Sequence, residues 1–464
     1  MTRGHPIRLW WFSIIYAAQM CAYGLLLTNL LPFARDALAL GENHALWFFA
    51  AFASLSWIIS IIGGILCDYI GFKSTALVGL LSAFISLQFL SHAYSTPILY
   101  LGTAVFILSQ GLSTAAIWSL VSQCYNKNSK TRASGTTLFY LIFNIGAFLG
   151  IFSSGFWMTS IGYHSMFFYL SFILLMAFII CLFIRTKERK LTFQTYLRRY
   201  SILVVISILL IAISCYLLNH PFINNFLIIG LTILSILYLY TYGKISHHSK
   251  KTNAFIILCG IAIFYYIAYS CMFNLLPLFA RYAMDLSFFG FLLHENNIEF
   301  FDGFYVITLG GLLVLLWRYL AYRDIHIALF NKFSLGVILA GLAYLIFAAI
   351  IFTDLESKTS VYWFILLFFF LTLGELLVTP TGIAMVNQLA PKNRVGLYMG
   401  VWTIANGIAP IFAGLITAFN EINGNMPLVT VNQHSIIVFI ALGGTVILVG
   451  IIAYFLFRRK MAQF

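Results

Sequence analysis

The chain has 464 residues, 62% of them hydrophobic and 8% charged, with mean hydropathy +0.97. A composition this apolar excludes a soluble domain, and runs of about 20 apolar residues are the signature of membrane-spanning helices. The formal charge of +13 is not accompanied by a basic patch interleaved with aromatics, which excludes a nucleic-acid surface.

The first run, Trp10 to Phe33, follows the basic residues Arg3 and Arg8. It is too long for the apolar core of a signal peptide and lacks a small-residue cleavage site, so it reads as the first span. Fourteen transmembrane helices are predicted, near 10–34, 45–67, 74–93, 98–123, 134–158, 163–184, 200–218, 222–242, 254–280, 303–322, 330–353, 361–390, 396–420 and 434–457. Threading them with the N-terminus inside leaves Arg35, Arg281 and Lys358 on outer loops and the other 23 of the 26 Lys and Arg on the inner side. The positive-inside rule therefore supports the count and places both termini in the cytoplasm.

The seven cysteines are scattered singly, with no Cys-x-x-Cys and no Cys/His cluster. They read as small buried residues, so no metal and no cofactor are expected. A phosphate-binding loop is absent, which argues against direct ATP drive.

Helix one ends Asn29-Leu-Leu-Pro32-Phe-Ala-Arg35, and the helix near 254–280 ends Asn274-Leu-Leu-Pro277-Leu-Phe-Ala-Arg281. Repeats of this kind imply two six-helix bundles with a substrate site between them at the midplane. Residues 1–199 form the first bundle in this reading and 254–464 the second. Residues 200–253 form an inserted hairpin and linker, turning at Asn219-His220-Pro221. Asn224 and Asn225 are its few deep polar groups, and functional chemistry is not expected there.

Between spans two and three runs Gly64-x-x-x-Asp68-x-x-Gly71-x-Lys73. Gly permits close helix approach, and Asp and Lys at the inner surface can latch the halves by ion pairing. The stretch resembles the cytoplasmic gate motif of the major facilitator superfamily.

Glu375 stands out because every other residue from Phe364 to Val378 is apolar, small or a hydroxyl. An ionised group at a helix centre costs about 2.5–3.5 kcal/mol on insertion scales, so a retained one marks a function or a structural hydrogen bond. Glu375 can bind a substrate amine through charge-assisted hydrogen bonds or carry a proton. Asn144 offers a donor and an acceptor, Trp402 a cavity wall, and Tyr23, Tyr265, Tyr266 and Tyr269 offer hydroxyls. Each has a structural alternative in helix packing. Pro32, Pro277, Pro380 and Pro410 interrupt helices, as gating elements or static kinks. Asp285, His294, Glu295, Glu299 and Asp302 read as an acidic outer loop. It could attract cations at the outer mouth, but topology bias alone also explains it and is the favoured reading.

Gly374-Glu375-x-x-x-x-Pro380-x-Gly382, continuing to Leu389-Ala390-Pro391, resembles the tenth core helix of the proton-dependent oligopeptide transporter family of the major facilitator superfamily. Tyr398-Met-Gly-Val-Trp402 resembles its eleventh helix, Phe139-Tyr140 with Asn144 and Gly146 its fifth, and Phe279-Ala280 with Tyr265, Tyr266 and Tyr269 its seventh. The resemblance implies an all-α integral membrane protein of the major facilitator fold, divergent and bacterial in type. It also implies that Glu375 looks toward a peptide amino group. The departures are specific. Ile15-Tyr-Ala-Ala18-Gln19 stands where the family has two glutamates and an arginine, although Tyr23 and Gly24 fit. A further arginine, a lysine and a glutamate of the family fall near Leu26, Thr114 and Ser270, and no Asn-Pro motif is recognisable around 304–309.

The resulting expectation is a multi-pass, monomeric inner-membrane transporter of small peptides or amino-acid-like solutes, working by alternating access. Glu375, Asn144, Trp402, Tyr23, Tyr266 and Tyr269 would bind substrate, and Glu375 would be the single candidate for proton coupling. One carboxylate serving both tasks favours facilitated diffusion or exchange over symport. The alternatives are a carrier of a non-peptide amine or small metabolite without proton coupling, and a transporter-like sensor or partner subunit. Membrane enzymes cluster catalytic groups at one depth. Here only Glu375 reads as deep, while His44, His92, His164, His220, His294 and His434 fall at the outer side, so no enzyme is expected.

Overall fold

Thirteen stretches among the described residues are long and apolar enough to cross a membrane. The computed structural model describes residues 5–125, 132–186, 193–245, 249–325, 327, 329–391 and 395–461. One stretch, Leu138–Phe183, runs 46 residues, about 69 Å at 1.5 Å per residue and more than twice a hydrocarbon core of ~30 Å. It lies in α5 (Arg132–Phe183), where Gly162 leaves helical geometry at φ 77° and ψ 167°. Glycine reaches that region without a Cβ penalty. Thus α5 is two spans, and the predicted fourteen are all present.

The chain divides into two compact units, Met1–Asn224 and Asn225–Phe464. The first contains α1 (Ile7–Pro32), α2 (Glu42–Ile70), α3 (Phe72–Ser91), α4 (Thr96–Gln123), α5 and α6 (Phe193–Asn219). Helix α1 packs on α5, α2 on α4, and α3 on both α4 and α5. Apolar burial gains little between helices surrounded by lipid, so these crossings rely on small residues that let backbones approach. Gly146 and Gly150 on α5 meet the backbone of Ala17 and Cys21 on α1, and Gly63 on α2 meets that of Gly111 on α4.

The boundary between units falls inside the hairpin of α6 and α7 (Pro221–Ile245), which differs from the expected cuts at 199 and 253. Asn224 explains the placement: it is buried, and its Nδ2 donates to Ser54 Oγ of α2 at 3.3 Å, tying the top of the hairpin to the first unit.

The second unit is built around α8 (Ser249–Ser270), which contacts α11 (Leu329–Thr353), α12 (Trp363–Leu389), α13 (Val395–Gly407), α14 (Ala409–Phe419) and α15 (Leu428–Met461). Helix α10 (Phe300–Tyr322) packs on α12. After α8 the chain makes a 3-10 turn and restarts as α9 (Leu275–Ala283). Asn274 drives the restart. Its buried side-chain oxygen accepts from Leu275 N at 2.7 Å and Thr417 Oγ1 at 3.0 Å, replacing the lost helical bonds.

The two repeat copies therefore differ. Asn29 donates back to Leu25 O at 2.9 Å, and α1 stays continuous to Pro32. The arginines of both repeat copies are ion-paired, Arg35 with Asp36 and Glu42, and Arg281 with Glu295.

The gate motif takes an unexpected form. Gly71, at φ 120°, is the one-residue turn between α2 and α3. Lys73 Nζ donates to Leu182 O at 2.9 Å and Ile184 O at 2.7 Å, capping the end of α5, while Asp68 is exposed. A Cβ at Gly64 would meet open space. Close approach thus belongs to its neighbour Gly63, because only Gly63 faces α4.

Candidate functional site

On α12, Thr372, Glu375, Thr379 and Gly382 follow at spacings of three, four and three, which places them on one helical face. Glu375 is partly exposed as a side chain, but its Oε2 atom is sealed and has no hydrogen-bond partner among the described residues. One turn away, Thr372 Oγ1 donates to Asp302 Oδ1 at 2.5 Å. The other Asp302 oxygen lies 3.5 Å from Tyr269 OH of α8.

Asp302 corrects the sequence reading, which placed it in an outer loop and left Glu375 as the only deep acid. Helix α10 begins at Phe300, so Asp302 lies in its first turn and is 7% exposed. Its partner Thr372 lies about two and a half turns into α12. Glu299, the residue before α10, is also buried, at 1% exposure, and its Oε2 has no partner among the described residues. Of the expected acidic loop, Asp285 remains exposed and Glu295 is bound to Arg281. Part of that loop is ordered. Strands Ser287–Phe288 and Phe291–Leu292 pair through a tight turn at Phe289 and Gly290, and Phe289 N donates to Tyr362 OH at 2.8 Å.

Burial, and then the charge of Asp302, hold the Glu299 carboxyl well above the ordinary carboxylate range. A raised folded-state value means the native state binds this proton more tightly than the unfolded chain. The resulting stabilisation is complete at low pH and is lost as pH rises through the raised value. Glu299→Gln should therefore flatten the alkaline decline in melting temperature that the wild type shows. An unchanged slope would remove Glu299 from the cluster.

Tyr265 is fully buried, and its hydroxyl has no hydrogen-bond partner among the described residues. It lies within electrostatic range of Glu375 and Asp302 and stacks on Tyr269, with ring centroids 6.2 Å apart. Tyr266 contacts Thr379, with the two hydroxyl oxygens 3.2 Å apart. The Tyr266 ring also stands edge-on to Trp402, 6.4 Å between centroids. Glu375, Trp402, Tyr266 and Tyr269, four of the six expected binding residues, lie in the second unit with Tyr265, and Asp302 and Thr372 are residues the sequence reading did not include.

Trp402, on α13, is buried against the bare backbone of Gly382. A Cβ there would stand 2.6 Å from the indole Cζ2 and 2.7 Å from Cη2. Gly382→Ala is expected to displace Trp402, at the ~1–3 kcal/mol typical of overpacking, and to weaken solute binding about tenfold while the protein still folds. Calorimetric titration of the purified variant checks this.

Asn144 and Tyr23 belong to the first unit. Asn144 Nδ2 donates to Tyr140 O of its own helix at 2.8 Å, and Tyr23 stacks parallel to Phe106 at 6.4 Å. Nearby positions carry a neutral polar network that sequence reasoning passed over. Gln19 Nε2 reaches Gln110 Oε1 at 3.3 Å, and Tyr16 OH reaches Thr114 Oγ1 at 3.3 Å. The Gln19 Oε1 is buried without a partner among the described residues. An amide there reads as packing in an apolar run, so its pairing across helices left no signal in the sequence.

A family model described as Major Facilitator Superfamily matches residues 12–414 and 332–463. Dipeptide and tripeptide permease B of Yersinia enterocolitica is 26% identical over 394 residues, covering 82% of this chain and 80% of the permease. The permease B of Salmonella typhimurium is 25% identical, covering 84% and 82%. Among solved structures, a peptide transporter POT in complex with sulfate superposes with a TM-score of 0.86 at 20% identity, covering 100% of this chain and 96% of that one. A POT family transporter in complex with 5-aminolevulinic acid gives 0.84 at 20%, covering 99% and 98%. At such identity these two structures establish a shared fold.

Proposed function

Since this chain belongs to the Major Facilitator Superfamily and falls with its proton-dependent oligopeptide transporters, we propose that it carries small peptides or amino-acid-like solutes across the bacterial inner membrane by alternating access. It does not act as an enzyme in this reading. The observation that carries the proposal is the Oε2 of Glu375, sealed and unpartnered among the described residues, one turn from Thr379, whose hydroxyl contacts Tyr266. A carboxylate left without a partner in a membrane helix is costly unless something else supplies a positive charge or a donor. A solute ammonium supplies both. Tyr266, Tyr269 and Trp402 flank that ammonium in this reading. The similarity to the curated dipeptide and tripeptide permeases supports peptides as the solute class.

The test is the melting temperature of the purified protein against dipeptides, amino acids and amines, followed by uptake of the best stabiliser into proteoliposomes. A bound solute stabilises the native state by mass action. Stabilisation by dipeptides supports the reading. Stabilisation only by amines favours the carrier of non-peptide amines, and stabilisation without any uptake favours the sensor.

The distribution of Lys and Arg supports a topology with both termini in the cytoplasm. Reporter fusions at Gly243 and after Phe464 should both report cytoplasm, and a periplasmic signal at either would overturn the topology.

A further inference from the structure

We propose that Asp302 and Glu375 together form a two-carboxylate site that holds one exchangeable proton while leaving one negative charge for a solute ammonium. The inference rests on the transport reading above and deepens it by giving the coupling proton a place of its own.

The geometry joins the two acids. Asp302 is held by Thr372 Oγ1 at 2.5 Å, and Thr372 and Glu375 are neighbours one turn apart on α12. Two carboxylates linked through Thr372 and withdrawn from water resist both being charged, so in this proposal the pair retains one proton. Every element packed around them adds acids and phenols. Helix α8 brings Tyr265, Tyr266 and Tyr269, α11 brings Tyr344, and the turn before α10 brings Glu299. No Lys, Arg or His among the described residues hydrogen-bonds or ion-pairs with either carboxyl. The positive charge that the cluster lacks must come from a mobile species.

One observation independent of the acid pair, and one on the pair itself, point to an incoming ligand. The Tyr265 hydroxyl is fully buried, unpartnered among the described residues and within range of both carboxyls. The Glu375 Oε2 atom is likewise sealed and unpartnered.

Two acids remove the conflict that one acid creates. With Glu375 alone, a proton and a solute ammonium compete for the same oxygens. With the pair, the proton sits on one carboxyl and the other faces the ammonium, so both are carried together. Release breaks one carboxyl O–H bond, the proton passes to water, and the pair regains its second negative charge. Asp302, held by Thr372 and Tyr269, is the carrier, and Glu375 faces the solute.

The test uses infrared spectroscopy on the full-length protein in liposomes, following the carbonyl stretch of protonated carboxylic acids as pH is varied. A titrating band lost in both Asp302→Asn and Glu375→Gln, and kept in Glu356→Gln at an exposed loop position, is the expected result. With the Glu299 band first removed by Glu299→Gln, a titrating band that survives Asp302→Asn overturns the proposal, as do two independent bands each removed by one substitution. Should Asp302→Asn fail to fold, Thr372→Val keeps both acids and removes the link, and the band's midpoint should move. An unmoved midpoint also overturns it. In parallel, accumulation of dialanine driven by a pH gradient should be lost in Asp302→Asn, and retained accumulation would count against Asp302 as carrier. If the wild type does not carry dialanine at all, the peptide reading fails while the infrared measurement still decides on the acid pair.

Discussion

Glu375→Gln is expected to lower solute binding and uptake tenfold or more while the protein folds normally. Glutamine has the same shape and can still hydrogen-bond, so the helix face formed by Thr372, Glu375, Thr379 and Gly382 stays intact. The substitution removes the charge that a solute ammonium would meet and the group that titrates. Hydrogen bonds to charged partners contribute about 1.5–3 kcal/mol, and tenfold corresponds to about 1.4 kcal/mol. Folding should not suffer, because the wild-type Oε2 has no protein partner among the described residues to lose. A melting temperature equal to wild type with uptake reduced tenfold separates a binding role from a structural one. Wild-type uptake in the variant would return Glu375 to structure.

Glu375 was legible in the sequence because it is the only charge in a long apolar run. Asp302 was not, for a physical reason. It stands three residues after Glu299 at the edge of a polar segment, where hydropathy drops, so the helix start was drawn at 303. Its burial comes from the contact with Thr372, which is 70 residues away in sequence and adds nothing to local hydropathy. The tyrosines of α8 were legible as candidates, but which hydroxyl is partnered depends on α10 and α12. The span count was almost wholly legible, since hydrophobic length and Lys/Arg bias both report on the bilayer. Gly162, breaking α5, sits between the two runs read as separate spans. The gate motif was legible as a turn at Gly71. The bonds of Lys73 to the carbonyls at the end of α5 were not legible, because the sequence does not record which carbonyls are bare.

Adjacent glycines offer the sharpest check on this packing. Gly63→Ala is expected to cost a large part of the stability, with the melting temperature of purified protein falling by several degrees or folded yield collapsing. Gly64→Ala should behave as wild type. The residues are neighbours with the same helix propensity, so intrinsic effects cancel between them. What differs is direction. Successive helical positions point about 100° apart, which aims Gly63 at α4 and Gly64 away from it. A Cβ at Gly63 overlaps the carbonyl of Gly111, and backbone cannot move aside as a side chain can. A Cβ at Gly64 meets nothing within 4 Å. Overpacking a fixed backbone contact costs about 1–3 kcal/mol or more, and between helices in lipid there is little apolar burial to offset it. Replacing Gly111 by Ala probes the same crossing from the other side, since its Cβ would stand 2.8 Å from Ile59 O, and the two losses should be less than additive because one separation of α2 from α4 relieves both. Equal melting temperatures for the Gly63 and Gly64 variants would mean that the α2–α4 crossing is looser than its geometry.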